Sequence, residues 1–144
     1  MIDLGRQLED LMTDGDVNKL KDYFQFNSTA TIYDWKTNKY LPNFENIIKL
    51  ADYFKVSLDY LLGRTLGCEE VVSKEIPPFD IHFSKIIKQH NSSQYKLIKD
   101  KVISRGHLNS WLNKNNTKNL PSVESLIKIA DYLKISLDEL VGRV

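Results

Sequence analysis

Hydrogen-bond donors crowd one stretch of the chain. Ser104, Arg105, His107, Asn109, Ser110, Asn113 and Lys114 follow one another at short spacing, with Gly106 among them. Arginine presents a planar fork of N–H donors, serine and asparagine both donate and accept, and lysine carries a compact charge. A glycine in such a run lets the backbone approach a partner closely. From Lys96 to Lys118 six basic residues meet a single acid, Asp100, for a net charge of +5. This is chemistry for recognising a polar, anionic surface. A weaker version lies earlier, at Thr29, Thr31, Tyr33 and Lys36, where residues 17–40 carry four basic and two acidic side chains.

Bond-making chemistry is not supported. There is no nucleophile beside a base, no carboxylate pair in a marked setting and no Gly-rich phosphate loop, so no catalytic residue is assigned and an enzyme is not expected. Cys68 is the single cysteine, which excludes an internal disulfide and a cysteine-based zinc cluster. Its neighbours Glu69 and Glu70 are anionic, the reverse of the cationic setting that activates a thiol. His82, His90 and His107 have no metal-ligand spacing, so neither metal nor cofactor is expected. No apolar run approaches the ~18 residues of a membrane span. The charged opening MIDLGRQLED lacks the apolar stretch of a secretion signal. A soluble, cytoplasmic protein without membrane contact is the expectation.

The elements that must position the donors are announced by a repeat. Residues 42–64, PNFENIIKLADYFKVSLDYLLGR, and 121–143, PSVESLIKIADYLKISLDELVGR, are identical at 14 of 23 positions, 79 residues apart. Two copies are too few for a solenoid, which needs about three or more, so two small duplicated domains are expected. The net charge of +1 hides an asymmetry: residues 1–70 carry eight Lys/Arg and twelve Asp/Glu, net −4, and residues 71–144 carry twelve and seven, net +5.

Each copy reads as a helix pair. Val123, Leu126, Ile127, Ala130 and Leu133 fall at helical spacing, as do Phe44, Ile47, Ile48, Ala51 and Phe54, and these stripes with Tyr53 and Tyr132 are expected in the core. Ser136 reads as an N-cap with Glu139 completing a capping box, and Ile135 and Val56 as staples onto Leu140 and Leu61. Gly63 and Gly142 stand where a helix end prefers glycine. Three shorter helices precede each pair. In the second copy Phe83, Ile86, Ile87 and His90 share a face, Gln94–Lys101 forms the next helix, and Ser104 caps a third that buries Leu108, Trp111 and Leu112. In the first copy Leu4, Leu8 and Leu11 make helix one, Asp14-Gly15-Asp16 the turn, Leu20 anchors helix two, and Ile32 and Trp35 anchor helix three. Thr29, Ala30, Asp34 and Thr37 would point outward from it.

SSQYKLIKDKVISRGHLNSWL followed by LPSVESLIKIADYLKISLDELVG resembles the Cro/phage-repressor helix-turn-helix family, also called the xenobiotic-response-element type. The second copy departs mildly, with Ile98 at the usual alanine and Leu112 after the tryptophan. The first departs more: no glutamine opens helix two, Lys21 takes the alanine position, and the turn near Asn27 has about one extra residue.

The resemblance implies an all-α chain of two tandem five-helix, lambda-repressor-like domains: 1–64, a linker 65–78, and 79–144. It implies a sequence-specific, double-stranded DNA-binding transcriptional regulator, acting as a repressor, whose third helix enters the major groove. The DNA-contact residues implied are Gln94, Ser104, Arg105, Gly106, His107, Asn109, Ser110, Asn113 and Lys114, with Thr29, Thr31, Tyr33 and Lys36 in the first domain. A homodimer or an intrachain pseudo-dimer would suit such domains. The alternative is a protein-interaction adaptor, antitoxin or inhibitor whose first domain serves dimerisation or a protein partner.

Overall fold

The computed structural model describes residues 3–13, 15–67, 70–71, 75–112 and 119–144. The chain divides into two compact units, Met1–Val71 and Val72–Val144. Regular structure among the described residues is helical. The first unit contains α1 (Leu4–Leu11), α2 (Asp16–Phe24), α3 (Ala30–Lys36), α4 (Phe44–Phe54) and α5 (Leu58–Leu61). The second contains α6 (Phe79–Gln89), α7 (Gln94–Lys99), α8 (Arg105–Leu112), α9 (Val123–Leu133) and α10 (Leu137–Val141).

Leu4, Leu8, Leu20, Ile32, Trp35, Ile47, Leu50, Leu58 and Leu61 form the first core; Phe83, Leu97, Leu108, Trp111, Leu126, Ile129, Leu137 and Leu140 form the second. The buried face of α4 and α9 is turned from the expected stripe. Leu50 and Ile129 are 0% exposed, whereas Phe54, Ile127 and Leu133 are half-buried. A simple stripe describes a helix packed on one side, and a helix enclosed in a bundle buries a wider arc. Tyr53 and Tyr132 are likewise half-buried rather than core. The Tyr132 hydroxyl donates to Asp100, which lifts its pKa above the ordinary tyrosine range.

Helix ends follow local chemistry. Ser57 and Ser136 accept from the amides of Tyr60 and Glu139, each at 3.0 Å. The Glu139 side chain is engaged elsewhere than in the expected capping box: Oε1 meets His90 Nε2 at 3.1 Å, and the Glu139 carbonyl meets His82 Nε2 at 2.7 Å, tying α10 to α6. Lys55 and Lys134 end α4 and α9 in the left-handed conformation (φ 56° and 58°), returning the amides of Val56 and Ile135 to Ala51 and Ala130. The same device ends α7 at Lys99, two residues early: Lys101 turns left-handed and Val102 N–H donates to Leu97 O at 2.9 Å. Asp14 of the expected first turn lies outside the described residues. Asp16 opens α2, and the Thr13 amide and hydroxyl donating to its carboxylate hold its pKa below the usual range.

The expected linker takes part in both units. Val71 N–H donates to Lys55 O at 2.9 Å, and Pro77 lies so close to Gly142 that a Cβ there would sit 2.6 Å from its Cδ.

Two further contacts fix the frame. α1 approaches the end of α3 so closely that a Cβ on Gly5 would lie 2.2 Å from Lys36 O. Gly5 N–H donates to Asn38 Oδ1 at 2.8 Å, and Asn38 Nδ2 donates to Asp3 Oδ1 at 2.9 Å. That bond, then the Arg6 amide, holds the Asp3 carboxyl below its ordinary range. At the end of each unit an aspartate pairs with an arginine five residues on, Asp59 with Arg64 and Asp138 with Arg143. The Arg143 side chain is 1% exposed and that of Arg64 is 20% exposed.

The two pairs should differ in consequence. Arg143→Ala leaves a buried carboxylate without its cation and should cost the second unit about 3–5 kcal/mol. Arg64→Ala should cost the first unit less, because water reaches that pair. Hydrogen exchange of peptides from each unit, followed in rising urea, measures both losses; equal losses would contradict the burial argument.

Candidate nucleic-acid interface

Leu108 and Trp111 bury one face of α8, and Phe79 meets Trp111 edge-on with ring centroids 6.3 Å apart. Leu112, expected to complete that face, is half-buried. With one face held, the other meets water. Arg105, Gly106, His107 and Asn109 are exposed and Ser110 is half-buried. Ser104 is exposed and also caps the helix, its Oγ accepting from His107 N–H at 3.1 Å. The His107 ring lies parallel to Trp111, with centroids 6.0 Å apart and planes at 10°. Nothing comes within 4 Å of a Cβ built on Gly106, so the space before the first turn of α8 is open.

Gln94 is exposed at the start of α7, whose cap is Ser93, accepting from Lys96 N–H at 3.1 Å. Lys96, Lys99, Lys101 and Arg105 are exposed on α7, the turn after it and the start of α8. The single acid of that stretch, Asp100, is held by the Tyr132 hydroxyl. Asn113 and Lys114 lie outside the described residues.

Sequence reasoning overlooked two residues here. Tyr95, beside Gln94, is 68% exposed. Asn119 Nδ2 donates to Ser110 Oγ at 2.6 Å. Tyr95 could have been found from its place one residue after Gln94. Nothing in the sequence pairs Asn119 with Ser110 across nine positions of polar chain.

In the first unit Ile32 and Trp35 seat α3, with Phe24 and Phe26 packed edge-on against the Trp35 ring. Tyr33 is 50% exposed and the Lys36 ammonium lies 5.6 Å from its ring centroid, a cation–π arrangement. A shallow polar hollow is lined by Thr13, Gly15, Val17 and Asn18 together with Thr29, Tyr33 and Lys36. Three of the four first-domain candidates thus come together. Thr31 is half-buried and does not line the hollow; Thr13 and Asn18 join it unforeseen. Thr37 does not present its hydroxyl outward as expected, for it donates back to Tyr33 O at 2.9 Å. Asp34 is half-buried.

Residues 82–144 match the family model of the Cro/C1-type helix-turn-helix DNA-binding domain, and residues 27–61 match a helix-turn-helix model. The chain belongs to the Cro/C1-type helix-turn-helix family, with two domains in tandem. No curated protein and no solved structure matches it. The family is a DNA-binding one, typically of non-enzymatic regulators, and DNA is the partner its domains imply. In the first domain the match begins just before α3 and omits α1 and α2, the region where the opening glutamine and the alanine are missing. Among the described residues no group of three His, Cys, Asp or Glu could hold a metal, and no helix is long and apolar enough to cross a membrane.

Gly106 separates stability from recognition. Gly106→Ala enters open space in a helix and should leave the second domain unchanged or stabilise it by up to about 1 kcal/mol. If α8 lies against DNA, the added methyl should weaken binding about tenfold, in the range that overpacking a tight contact costs. Thermal melts and a DNA titration on the same variant check both; unaltered affinity would remove Gly106 from the interface.

Proposed function

We propose that this protein is a sequence-specific, double-stranded DNA-binding transcriptional regulator acting as a repressor, with α8 of the second domain as its principal reader in the major groove. The observation that carries the reading is the exposed face of α8, where Arg105, His107 and Asn109 stand around an unobstructed Gly106 while Leu108 and Trp111 hold the opposite face. An α-helix fits the major groove, and a preceding helix across the backbone sets its angle. Arg105 is suited to fork onto guanine O6 and N7, and Ser110 to bond a base edge. Gln94 and the exposed Lys99 and Lys101 are suited to phosphates, which position a reader without specifying sequence, while Lys96 Nζ donates to Asn91 O at 3.3 Å. Occupying DNA excludes other proteins, so repression is the simplest outcome.

The first domain supports a lesser role on DNA. Its hollow offers Thr29, Tyr33 and Lys36, but Lys36 is engaged with Tyr33 and Asp34 adds negative charge to α3. A second reading, a protein-interaction module in this half, is favoured by its net charge of −4 over residues 1–70 and by the exposure of Tyr23 and Tyr40.

Selection of bound duplexes from a random library by the full chain, followed by titration at several salt concentrations, tests the proposal. Affinity should fall with salt at a log–log slope of about −0.9 per phosphate contact, with roughly 4–6 such contacts from the second domain. Arg105→Ala should lose about 1–3 kcal/mol and relax preference at one base. Asp34→Asn should leave binding unchanged or strengthen it. If no duplex is enriched, the regulator reading fails; if Arg105→Ala binds normally while Asp34→Asn abolishes binding, the first domain is the reader.

A further inference from the structure

Ser110 sits on α8 between exposed Asn109 and buried Trp111, and its hydroxyl has a partner within the protein. Asn119, in the segment leading to α9, donates Nδ2–H to Ser110 Oγ at 2.6 Å. A serine hydroxyl has one hydrogen and two lone pairs. The Asn119 amide occupies a lone pair and so turns the hydrogen away from itself. Among the described residues no acceptor takes that hydrogen.

We propose that Asn119 is a positioning residue for base recognition: by donating to Ser110 it fixes that hydroxyl as a hydrogen-bond donor toward the DNA. The position met by Ser110 then favours guanine or thymine, whose O6/N7 and O4 accept, over cytosine, whose N4 donates. The inference rests on the proposed entry of α8 into the major groove. It adds a determinant of specificity that touches no base itself.

Inverting the polarity of the bond makes the test. In Asn119→Asp the carboxylate takes the hydroxyl hydrogen, and only lone pairs remain to face the groove. The full chain and its Asn119→Asp, Asn119→Ala, Ser110→Ala and doubly substituted (Ser110→Ala with Asn119→Asp) variants are titrated against the duplex selected by the unsubstituted chain and against its single-base variants. Circular dichroism verifies folding. At one position the preference in Asn119→Asp should move toward cytosine by about 3- to 10-fold, the worth of one hydrogen bond, and Asn119→Ala should weaken the original preference. In the Ser110→Ala background Asn119→Asp should leave base ratios unchanged. The added negative charge weakens every duplex alike and does not alter ratios. Base ratios unchanged in Asn119→Asp, or a shift that persists without the Ser110 hydroxyl, overturn this inference and leave the DNA-binding reading intact. Failure to enrich any duplex overturns both.

Discussion

A helix of seven or eight residues presents a fixed face only if its other face is clamped. In this protein the clamp is a pair of apolar side chains three residues apart, Ile32 and Trp35 on α3, Leu108 and Trp111 on α8. So short a helix is not stable alone in water, because nucleation is costly and few hydrogen bonds repay it. Its order comes from burying the tryptophan and its neighbour. The outward display of Arg105, Gly106, His107 and Asn109 is therefore a consequence of core packing as much as of the residues displayed.

The two domains use one frame for different surfaces. Both carry the serine cap before the last helix, the left-handed lysine after the long one and the terminal aspartate–arginine pair. They diverge where the frame places no demand. Around α8 the exposed charge is basic and its single acid is held by a tyrosine. On α3 an aromatic ring stands where α8 carries Asn109, and the nearby lysine is turned over that ring. Apolar character is kept at the packing positions of the two copies, and the difference lies on the outward faces of α3 and α8.

The aspartate–arginine pair shows how a small domain closes its end. Asp138 and Arg143 are buried together, with Gly142 between them at φ 92°. The positive φ folds the chain back so that Arg143 N–H also donates to Asp138 O at 2.8 Å. Taking both charges out of water costs several kcal/mol per ion, and mutual attraction with backbone hydrogen bonding offsets it. The arrangement therefore confers shape more surely than stability: it turns the chain back at Gly142, beside Pro77 and beside His82 of α6.

The repeat, the helices of each copy, the serine caps at Ser104 and Ser136 and the burial of Trp35, Leu108 and Trp111 were legible in the sequence alone. Each follows from spacing or from a residue's own backbone preference, which neighbours along the chain suffice to express. The family resemblance added an expected partner, and the exposure of Arg105 and Asn109 follows from the same helical period. The tertiary structure alone decided which atoms meet. Periodicity averages over one helix, so it could not show that Leu50 and Ile129 are as fully enclosed as Ala51 and Ala130 of the expected stripe. Glu139 looked like half of a capping box until α6 brought His90 within 3.1 Å of it. Asn38 reaching Gly5, and Asn119 reaching Ser110, join residues that share no local pattern. Local preferences act through adjacent bonds and are written in the order of residues; contacts between helices depend on how whole elements pack, and that is settled only when every apolar face has found its place.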